Sequence, residues 1–329
     1  MKFIDLFSGI GGFHSGLENA GMRCIGWCEI DKFARKSYEA IYDTTELWTA
    51  TDIRLIRGWD MPKADLWSFG FPCQDISIAG KQQGIKRGTR SGLYFEVMRL
   101  LDEAGQNQPK WLIAENVKNL MSIRGGWEFF TVIVEMEKRG YSVEWSVYNS
   151  KNYGVPQNRE RIYIVGYLGN TGRRKILPTP RAGEKGIRQI GNFINRLKNP
   201  QCGRIYDIDG IGPTLRANTG GFSEPYIRIV GQIGKNKQRG RIFADDGIVG
   251  ALSACDYKDP LKVLDGDRIR KLTPLECWRL QGFSDEQFYK ASKVNSNSQL
   301  YRQAGNSVTV PVVEEIGKAI MEYEMREEI

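Results

Sequence analysis

The sequence predicts an α/β fold, in which helices cover both faces of a parallel sheet, joined to a smaller, mostly β domain. From residue 1 to about 168, apolar strand-like runs alternate with helical patterns, which is typical of parallel sheets. After Pro178 and Pro180 the chain is rich in glycine, asparagine and arginine with short β-like runs, which indicates a second domain. A helical pattern over residues 311 to about 325 has one apolar face, so we expect it to pack on the first domain.

Strands and helices are predicted in this order: 3–7, 13–20, 24–28, 32–42, 66–69, 93–104, 111–115, 129–139, 142–149 and 162–167. In such sheets the ligand binds beyond the carboxyl ends of the strands. Five chemically capable side chains lie at or just after such ends, and we expect them to converge there: Asp5, Glu29, Asp52, Cys73 and Glu115.

Composition and cysteine use exclude several classes of protein. The 329 residues contain no low-complexity tract and no apolar run of the roughly 18 residues that a membrane span needs. The six cysteines include no Cys-x-x-Cys pair, so we expect neither a zinc site nor disulfides, and a cytoplasmic setting. His14 is the single histidine, which leaves one candidate base for any Ser-His or Cys-His chemistry.

The net charge of +8 is concentrated in one segment. Residues 181–306 hold 21 Lys and Arg against 13 Asp and Glu, while the remainder holds 26 of each. A basic region beside a neutral one predicts contact with a polyanion, although a solvated basic surface is the alternative. The same segment contains an internal repeat, since residues 203–217 match residues 240–254 at 8 of 15 positions.

The run Phe7-Ser8-Gly9-Ile10-Gly11-Gly12 lies between a predicted strand and a predicted helix. Glycines let the backbone approach a ligand, and a helix N-terminus favours a carboxylate or phosphate. A tight turn is the alternative, since the run departs from the G-x-G-x-x-G pattern. Glu29 is placed to bind ribose hydroxyls and Asp52 to accept an adenine amino group. A dinucleotide and S-adenosylmethionine share this adenosine, so both remain open.

Two further motifs carry candidate catalytic groups. Cys73 follows a proline in a predicted turn, which favours an exposed, rigidly held thiol that neighbouring amides or charges could activate; a buried structural cysteine is the alternative. Glu115 ends an apolar strand, which predicts a raised pKa and a carboxyl that is protonated at neutral pH; a helix cap is the alternative.

Arg159 and Arg161 stand two residues apart at the start of the strand 162–167. Side chains at this spacing point to the same side of a strand, where they can hold oxygen acceptors such as a base carbonyl or a phosphate. Exposed ion pairs with Glu160 are the alternative.

In combination and in this order, the motifs resemble the bacterial DNA cytosine-5 methyltransferases of restriction-modification systems, over nearly the whole chain. The matching blocks are the run from Phe7, Glu29, Asp52, the Phe-Pro-Cys-Gln run, Glu115-Asn116-Val117, residues 157–162, residues 279–283 and residues 303–308. The resemblance implies a Rossmann-like, S-adenosylmethionine-dependent methyltransferase domain of residues 1–183 and 297–329. It also implies a smaller, mostly β target-recognition domain with its hinge, residues 184–296.

The resemblance further implies the chemistry. Cys73 adds to C6 of a flipped-out cytosine in double-stranded DNA and makes C5 able to attack the methyl group. Glu115 contacts N3 and the exocyclic amine, Arg161 holds O2, and Arg159 supports the same pocket. S-adenosylmethionine is the cofactor, S-adenosylhomocysteine the product, and no metal takes part. Residues 74–90 are the expected lid.

Eleven residues carry over from the resemblance as cofactor contacts: Phe7, Ile10, Gly12, Glu29, Ile30, Asp52, Ile53, Pro72, Leu93, Asn306 and Val308. Ile30 is a departure, because the family often has a large aromatic there that stacks on adenine. Residues expected to contact DNA are Gln74, Lys81, Arg90, Arg216, Lys235, Asn236, Lys237, Gln238, Arg239 and Ser253. Arg216, in the first copy of the repeat, is expected to contact extra base pairs or backbone.

The expected protein is a monomer in the cytoplasm, associated with the nucleoid, with a restriction endonuclease as a candidate partner. A tRNA cytosine-5 methyltransferase is the nearest alternative, because it uses the same motifs. A second alternative is a catalytically silent DNA-binding protein. A third is a nicotinamide-dependent oxidoreductase, in which Cys73, Glu115 and Arg161 would have no evident role.

Overall fold

A computed structural model describes residues 1–71, 92–170, 175–181, 189–192, 204–206, 229–232, 241–244, 249–254, 261–265 and 268–327. Its first region contains the strands β1 Lys2–Leu6, β2 Arg23–Cys28, β3 Trp48–Ala50, β4 Leu66–Gly70, β5 Trp111–Val117, β6 Tyr141–Asn149, β7 Gln157–Asn158 and β8 Glu160–Leu168. All but β7 form one sheet in the order β3-β2-β1-β4-β5-β8-β6.

Strands β3, β2, β1, β4 and β5 run parallel, as expected, whereas β8 runs antiparallel to both β5 and β6. The expectation of a wholly parallel sheet is therefore wrong at this end. Residues 150–159 join β6 to β8, and this connection is shorter than the crossover of a dozen or more residues that parallel neighbours need.

Helices cover both faces of this sheet. The helices of the described residues are α1 Gly12–Asn19, α2 Lys32–Ile41, α3 Leu93–Ala104, α4 Trp127–Glu137, α5 Pro274–Arg279, α6 Asp285–Ser292, α7 Asn297–Asn306 and α8 Val310–Glu327. Of these, α5, α6 and α7 pack in a separate core. In β4, Trp67 packs in the core that contains α3 and α4, while Leu66 packs in the core that contains α1 and α8. The strand is buried on both faces, which agrees with its mainly apolar sequence, and its one polar side chain, Ser68, is hydrogen-bonded to Asp5.

Helix α8 packs on the first region, as its apolar face predicts. It lies so close to α1 that a Cβ atom at Gly16 would come within 2.6 Å of Val313 side-chain atoms. At its far end, Glu324 accepts a hydrogen bond from the Trp111 indole at 2.8 Å and pairs with Lys110 at 2.7 Å. The last helix is thus bound to β5, an interior strand of the sheet.

Short strands make up most of the described part of residues 189–271: β9 Gln189–Asn192, β10 Arg204–Tyr206, β11 Ile229–Gln232, β12 Arg241–Ala244, β13 Val249–Gly250, β14 Lys262–Asp265 and β15 Arg268–Lys271. Four of them form a sheet in the order β11-β12-β14-β15, β9 pairs with β10, and β13 pairs with β7. This agrees with the mostly β texture of the sequence.

Domain boundaries at residues 183 and 297 stay a prediction. Next to the second boundary, Asn295 donates a hydrogen bond to the Phe33 carbonyl at 2.9 Å, and Gln287 on α6 donates to Ser15 at 2.8 Å. The end of the predicted recognition domain and hinge thus contacts α1 and α2. In the described part of the chain, no helix has the length and apolar character needed to cross a membrane.

Candidate active site

A cavity of about 730 Å³ opens at the carboxyl edge of β1, β2, β4 and β5. The loop after β1, the start of α3 and the segment from α7 to α8 complete its walls. All the predicted cofactor contacts that the structure describes line it: Phe7, Ile10, Gly12, Glu29, Ile30, Asp52, Ile53, Leu93, Asn306 and Val308. Glu115, Arg159 and Arg161 line the same cavity.

The loop after β1 turns sharply into α1. Phe7, Gly9 and Gly11 have positive φ angles of 55°, 56° and 83°, and glycine adopts this conformation without the steric cost that a side chain adds. At Gly12 a Cβ atom would lie 2.7 Å from Ser307 Oγ and from Val308 Cγ2. The glycine therefore lets residues 307–308 close the cavity against this loop.

Glu29 is fixed by main-chain donors. Its Oε2 accepts from Gly9 N–H at 2.8 Å and its Oε1 from Asp31 N–H at 2.7 Å. Burial raises the pKa of this carboxyl, while the two main-chain hydrogen bonds act in the opposite direction. Each oxygen keeps a second lone pair, so the group can accept hydrogen bonds from a ligand hydroxyl.

Asp52 lines the cavity with its carboxylate already engaged. Its Oδ1 accepts from Arg54 N–H at 3.0 Å and from Arg54 Nε at 2.9 Å, while Oδ2 accepts from Arg54 Nη2 at 2.5 Å. This ion pair lowers the pKa of Asp52. Oδ2 also accepts from Arg54 Nε at 3.1 Å, so Arg54 engages both oxygens, and an adenine amino group can bind there only when this ion pair rearranges. Ile30 lines the same part of the cavity and is 58% exposed.

Glu115 and Arg161 form an ion pair inside the cavity. Arg161 Nε lies 3.2 Å from Glu115 Oε1, with the two side chains 18% and 12% exposed. Burial raises the pKa of Glu115, as the sequence predicts, and Arg161 and then Arg159 oppose the shift. Oε1 has no hydrogen-bond partner among the described residues. The carboxyl is therefore buried, under-bonded and directed at the cavity.

Gly70 and Asn116 are the neighbours of Glu115 at this edge of the sheet. Gly70, at the end of β4, pairs in register with Glu115, and a Cβ atom there would lie 3.6 Å from Oε2. Asn116 donates to the Phe71 carbonyl at 3.2 Å and so fixes the main chain just before Pro72. Asn116 is a site residue that the sequence interpretation passed over, although it stands beside Glu115 in a quoted motif.

Arg159 has different contacts from Arg161, despite the predicted shared side. Its guanidinium is buried and donates to three main-chain carbonyls: Leu252 at 3.1 Å, Ser307 at 2.8 Å and Gly305 at 3.4 Å. The alternative of ion pairs with Glu160 is wrong, because Glu160 instead pairs with Lys118 at 3.0 Å. Arg159 therefore connects segments that are distant in the sequence.

Asp5 does not belong to the cavity wall, so its expected convergence with the other acids is wrong. It lies inside β1, fully buried, and accepts a hydrogen bond from Ser68 at 3.1 Å. Burial raises its pKa to about 8. His14, the single histidine, is buried on α1 and contacts the Tyr38 hydroxyl and Glu18.

Several predicted site residues lie outside the described residues: Pro72, Cys73, Gln74, Lys81, Arg90, Arg216, Lys235, Asn236, Lys237, Gln238 and Arg239. Ser253 is described, is exposed, and has its main chain against Gly305. The cavity also has lining residues that were not predicted. Ser8 lines it with a buried hydroxyl that has no hydrogen-bond partner in the described part of the chain. Gln299 and Arg302 also line it, and no motif indicates them.

Residues 1–322 match the family described as C-5 cytosine-specific DNA methylase. The chain belongs to this family. This methylase is 34% identical to M.HpaII, a type II methyltransferase of Haemophilus parainfluenzae. The match covers 97% of the present chain and 89% of M.HpaII. The orphan methyltransferase M.SPBetaI of Bacillus phage SPbeta is 30% identical over 96% of each protein.

Solved structures agree on the fold. This methylase superposes on S. pombe Dnmt2 with a TM-score of 0.65 at 16% identity, over 98% of each chain. The Entamoeba histolytica methyltransferase EhMeth gives a TM-score of 0.66 at 18% identity. The protein is therefore an enzyme, a DNA cytosine-5 methyltransferase with a Rossmann-like fold. The family implies use of S-adenosylmethionine, and the described residues hold no cluster of metal-ligating side chains.

Proposed function

We propose that this enzyme methylates C5 of a flipped-out cytosine within a specific double-stranded DNA sequence, through a temporary bond between Cys73 and C6. The observation that carries the proposal is the Glu115–Arg161 pair in a cavity whose other half presents Glu29 and apolar side chains. One half suits a polar, planar base, and the other suits an adenosine.

The residues of the second half fit S-adenosylmethionine. Glu29 offers the free lone pairs that ribose hydroxyls need, and Asp52 accepts the adenine amino group when its ion pair with Arg54 rearranges. Apolar side chains of Phe7, Ile30 and Ile53 line the same wall for the adenine ring. The N-terminus of α1 faces the loop and favours the carboxylate of the methionine portion. When bound, this cofactor supplies an electrophilic methyl group.

In the base half, the chain's own groups activate cytosine. Cys73 follows Gly70 by three residues in the sequence, and Gly70 pairs with Glu115. Addition of the Cys73 thiolate to C6 builds negative charge in the ring. Glu115, with its raised pKa, donates a proton or hydrogen bond at N3, while Arg161 holds O2. After methyl transfer, loss of the C5 proton releases Cys73.

DNA binding is assigned to the predicted recognition domain and the residues around the cavity. The target base must leave the duplex, at a cost of a few kcal/mol, and Gln74, Lys81 and Arg90 are proposed to stabilise the opened duplex. Lys235 to Arg239 and Ser253 are proposed to read base edges in the major groove. Arg216 is proposed to add contacts outside that site. The basic excess in residues 181–306 supports this assignment.

We further propose that the enzyme acts as a monomer on DNA in the nucleoid. A single chain already contains both halves of the cavity. A restriction endonuclease of the same specificity is the proposed partner, since relatives of this chain are named type II methyltransferases. Sedimentation of the purified protein with and without a duplex tests the first point.

Covalent trapping tests the mechanism. Bisulfite sequencing of DNA from cells that express the enzyme first defines the methylated sequence. A duplex with 5-fluorocytosine at that position should then form a denaturation-resistant adduct in the presence of S-adenosylmethionine. Cys73→Ser should abolish the adduct, and Cys202→Ser should retain it. An adduct that survives Cys73→Ser contradicts the proposal, and methylation of tRNA in preference to DNA contradicts the substrate.

A further inference from the structure

The main chain at Leu252 is held at both its polar atoms by side chains next to the cavity. Gln157 Oε1 accepts from Leu252 N–H at 3.0 Å, and Arg159 Nη1 donates to the Leu252 carbonyl at 3.1 Å. Gln157 is fully buried and its amide also donates to the Leu280 carbonyl at 2.8 Å. Such buried hydrogen bonds are costly to break, because the freed groups find no water.

The same segment is joined to the catalytic region by backbone pairing. Strand β13 pairs parallel with β7, with Val249 opposite Gln157 and Gly250 opposite Asn158. Val249 and Leu252 are buried in the core that also contains α5 and α7. Residues 249–252 therefore pack as part of the catalytic region, although their position in the sequence lies within the predicted recognition domain.

A close contact brings the segment against the cavity wall. A Cβ atom at Gly305 would lie 2.3 Å from the Ser253 carbonyl carbon and 2.5 Å from Ala254 N. Gly305 is followed directly by the cavity-lining residues 306–308. The Arg159 guanidinium completes the connection, since it donates to Leu252, Gly305 and Ser307 carbonyls together.

We propose that Gln157, Arg159 and Gly305 form a joint that holds residues 249–254 in the position at which a correctly read sequence delivers its cytosine to the cavity. These three are positioning residues, and Arg159 acts through main-chain carbonyls. The inference rests on the proposed function in one respect, the assignment of sequence reading to residues 184–296. It adds that discrimination between sequences depends on this joint.

The geometry explains why the joint would be sensitive to small displacements. Arg159 makes its three bonds from one planar guanidinium, so a shift of residues 249–254 relative to residues 305–308 cannot preserve all of them. Near a reacting base, a displacement of about 1 Å lowers the rate by about a hundredfold. A bound mismatched duplex that displaces residues 253–254 would therefore be methylated slowly.

Gly305→Ala tests the joint, with Gly250→Ala as the matched control. Alanine is the better helix former at Gly305, so any loss at this position of α7 reports on the collision with residues 253–254. At Gly250, on the same segment, an added Cβ atom meets nothing within 4 Å. The measurement is kcat/KM on the preferred duplex and on duplexes with a single base-pair substitution, with thermal melting to verify folding.

We expect Gly305→Ala to lower kcat on the preferred duplex and to reduce the discrimination ratio about tenfold, with DNA Kd within about threefold of the parent. Gly250→Ala should keep both within about twofold. Equal losses on preferred and substituted duplexes, or equal losses in the two variants, overturn the proposal. So does a loss of S-adenosylhomocysteine affinity by calorimetry that accounts for the whole effect, because Gly305 also lines the cavity.

Gln157→Met provides a second route if Gly305→Ala does not fold. It removes the bonds to Leu252 and Leu280 without adding bulk near residues 253–254, and we expect the same fall in discrimination. Replacing Lys237 and Arg239 by alanine separates the recognition assignment from the proposed joint. If that change leaves the methylated sequence unaltered, the recognition assignment fails. If it alters the methylated sequence while Gly305→Ala and Gln157→Met behave as the parent, only the proposal of the joint fails.

Discussion

The two halves of the cavity hold their acidic groups in opposite ways. In the cofactor half, both oxygens of Glu29 accept main-chain hydrogen bonds, from Gly9 and Asp31. In the base half, Glu115 has an ion pair with Arg161, and its Oε1 lacks a hydrogen bond among the described residues. Burial raises the pKa of both carboxyls, so burial alone does not distinguish them.

The difference follows from what each group does in the proposed function. An acid that binds a ligand in one orientation gains from rigid donors, because they fix its lone pairs before the ligand arrives. An acid that exchanges a proton with its substrate needs unfilled hydrogen-bonding capacity and a pKa near the working pH. The cofactor half is thus built for binding and the base half for chemistry.

The largest expected effect comes from Glu115→Gln. The amide keeps the shape but cannot supply a proton, so we expect kcat to fall roughly a thousandfold, with S-adenosylhomocysteine affinity unchanged by calorimetry. In the parent, kcat should decline as pH rises through the raised pKa of Glu115, because the protonated form is lost. A variant that kept normal kcat would break the distinction between the halves.

Glu29→Gln is expected to weaken cofactor binding and to leave kcat nearly unchanged, the opposite of Glu115→Gln. Its amide nitrogen must face either Gly9 N–H or Asp31 N–H, which replaces one hydrogen bond by a donor–donor contact. We expect the Kd for S-adenosylmethionine to rise about 10- to 100-fold, with kcat at saturating cofactor within about threefold of the parent. Glu39→Gln, on the outer part of α2, serves as the control. A fall in kcat comparable to that of Glu115→Gln contradicts the assignment.

Asp5→Asn tests how burial alone changes the pKa of a carboxyl, because Asp5 lies outside the cavity. Because the pKa of Asp5 rises from 3.8 to about 8 on folding, the folded state binds the extra proton between these values. Stability should therefore fall as pH increases from 5 to 8, by up to about 1.4 kcal/mol per pH unit from this group. Asp5→Asn should flatten that slope in urea unfolding, while Asp60→Asn should not. An unchanged slope means that Asp5 ionises normally.

The smallest effect is expected from Arg54→Ala. The Arg54 side chain is 60% exposed, and exposed ion pairs contribute little, because solvent and salt screen them. Removing this side chain frees Asp52 to accept a hydrogen bond from the adenine amino group. The Kd for S-adenosylmethionine should therefore fall, by about two- to fivefold. A change as large as that of Glu29→Gln would place Arg54 in direct contact with the cofactor.

Much of the fold follows from local patterns. The helix 93–104 is predicted at the bounds observed for α3, because its apolar spacing is regular and a glycine follows it. The direction of β8 was not predictable in this way, since a buried run such as Ile162 to Val165 reads alike in parallel and antiparallel neighbours. Strand direction depends on the connection, which is a property of the whole topology.

The site residues also differ in whether the local sequence predicts them. Glu29 and Glu115 were identifiable because a strand end places a side chain at the sheet edge. Asp5 satisfied the same rule and failed, because it precedes the end of β1 by one residue and faces the interior. The carbonyl partners of Arg159 lie 93 to 148 residues away, and main-chain acceptors leave no residue-type signal in a sequence.

The attachment of α8 has a consequence for protein synthesis. A ribosome delivers the chain from its N-terminus, so β1 and α1 emerge long before the helix that covers them. Until then, the face of α1 that contains Gly16 and the strand end at Trp111 lack their partners Val313 and Glu324. Residues 306–308, which line the cavity, also emerge late. A nascent chain with its recognition region already made would therefore still lack this wall of the cavity, which is completed only when residues 306–327 have emerged.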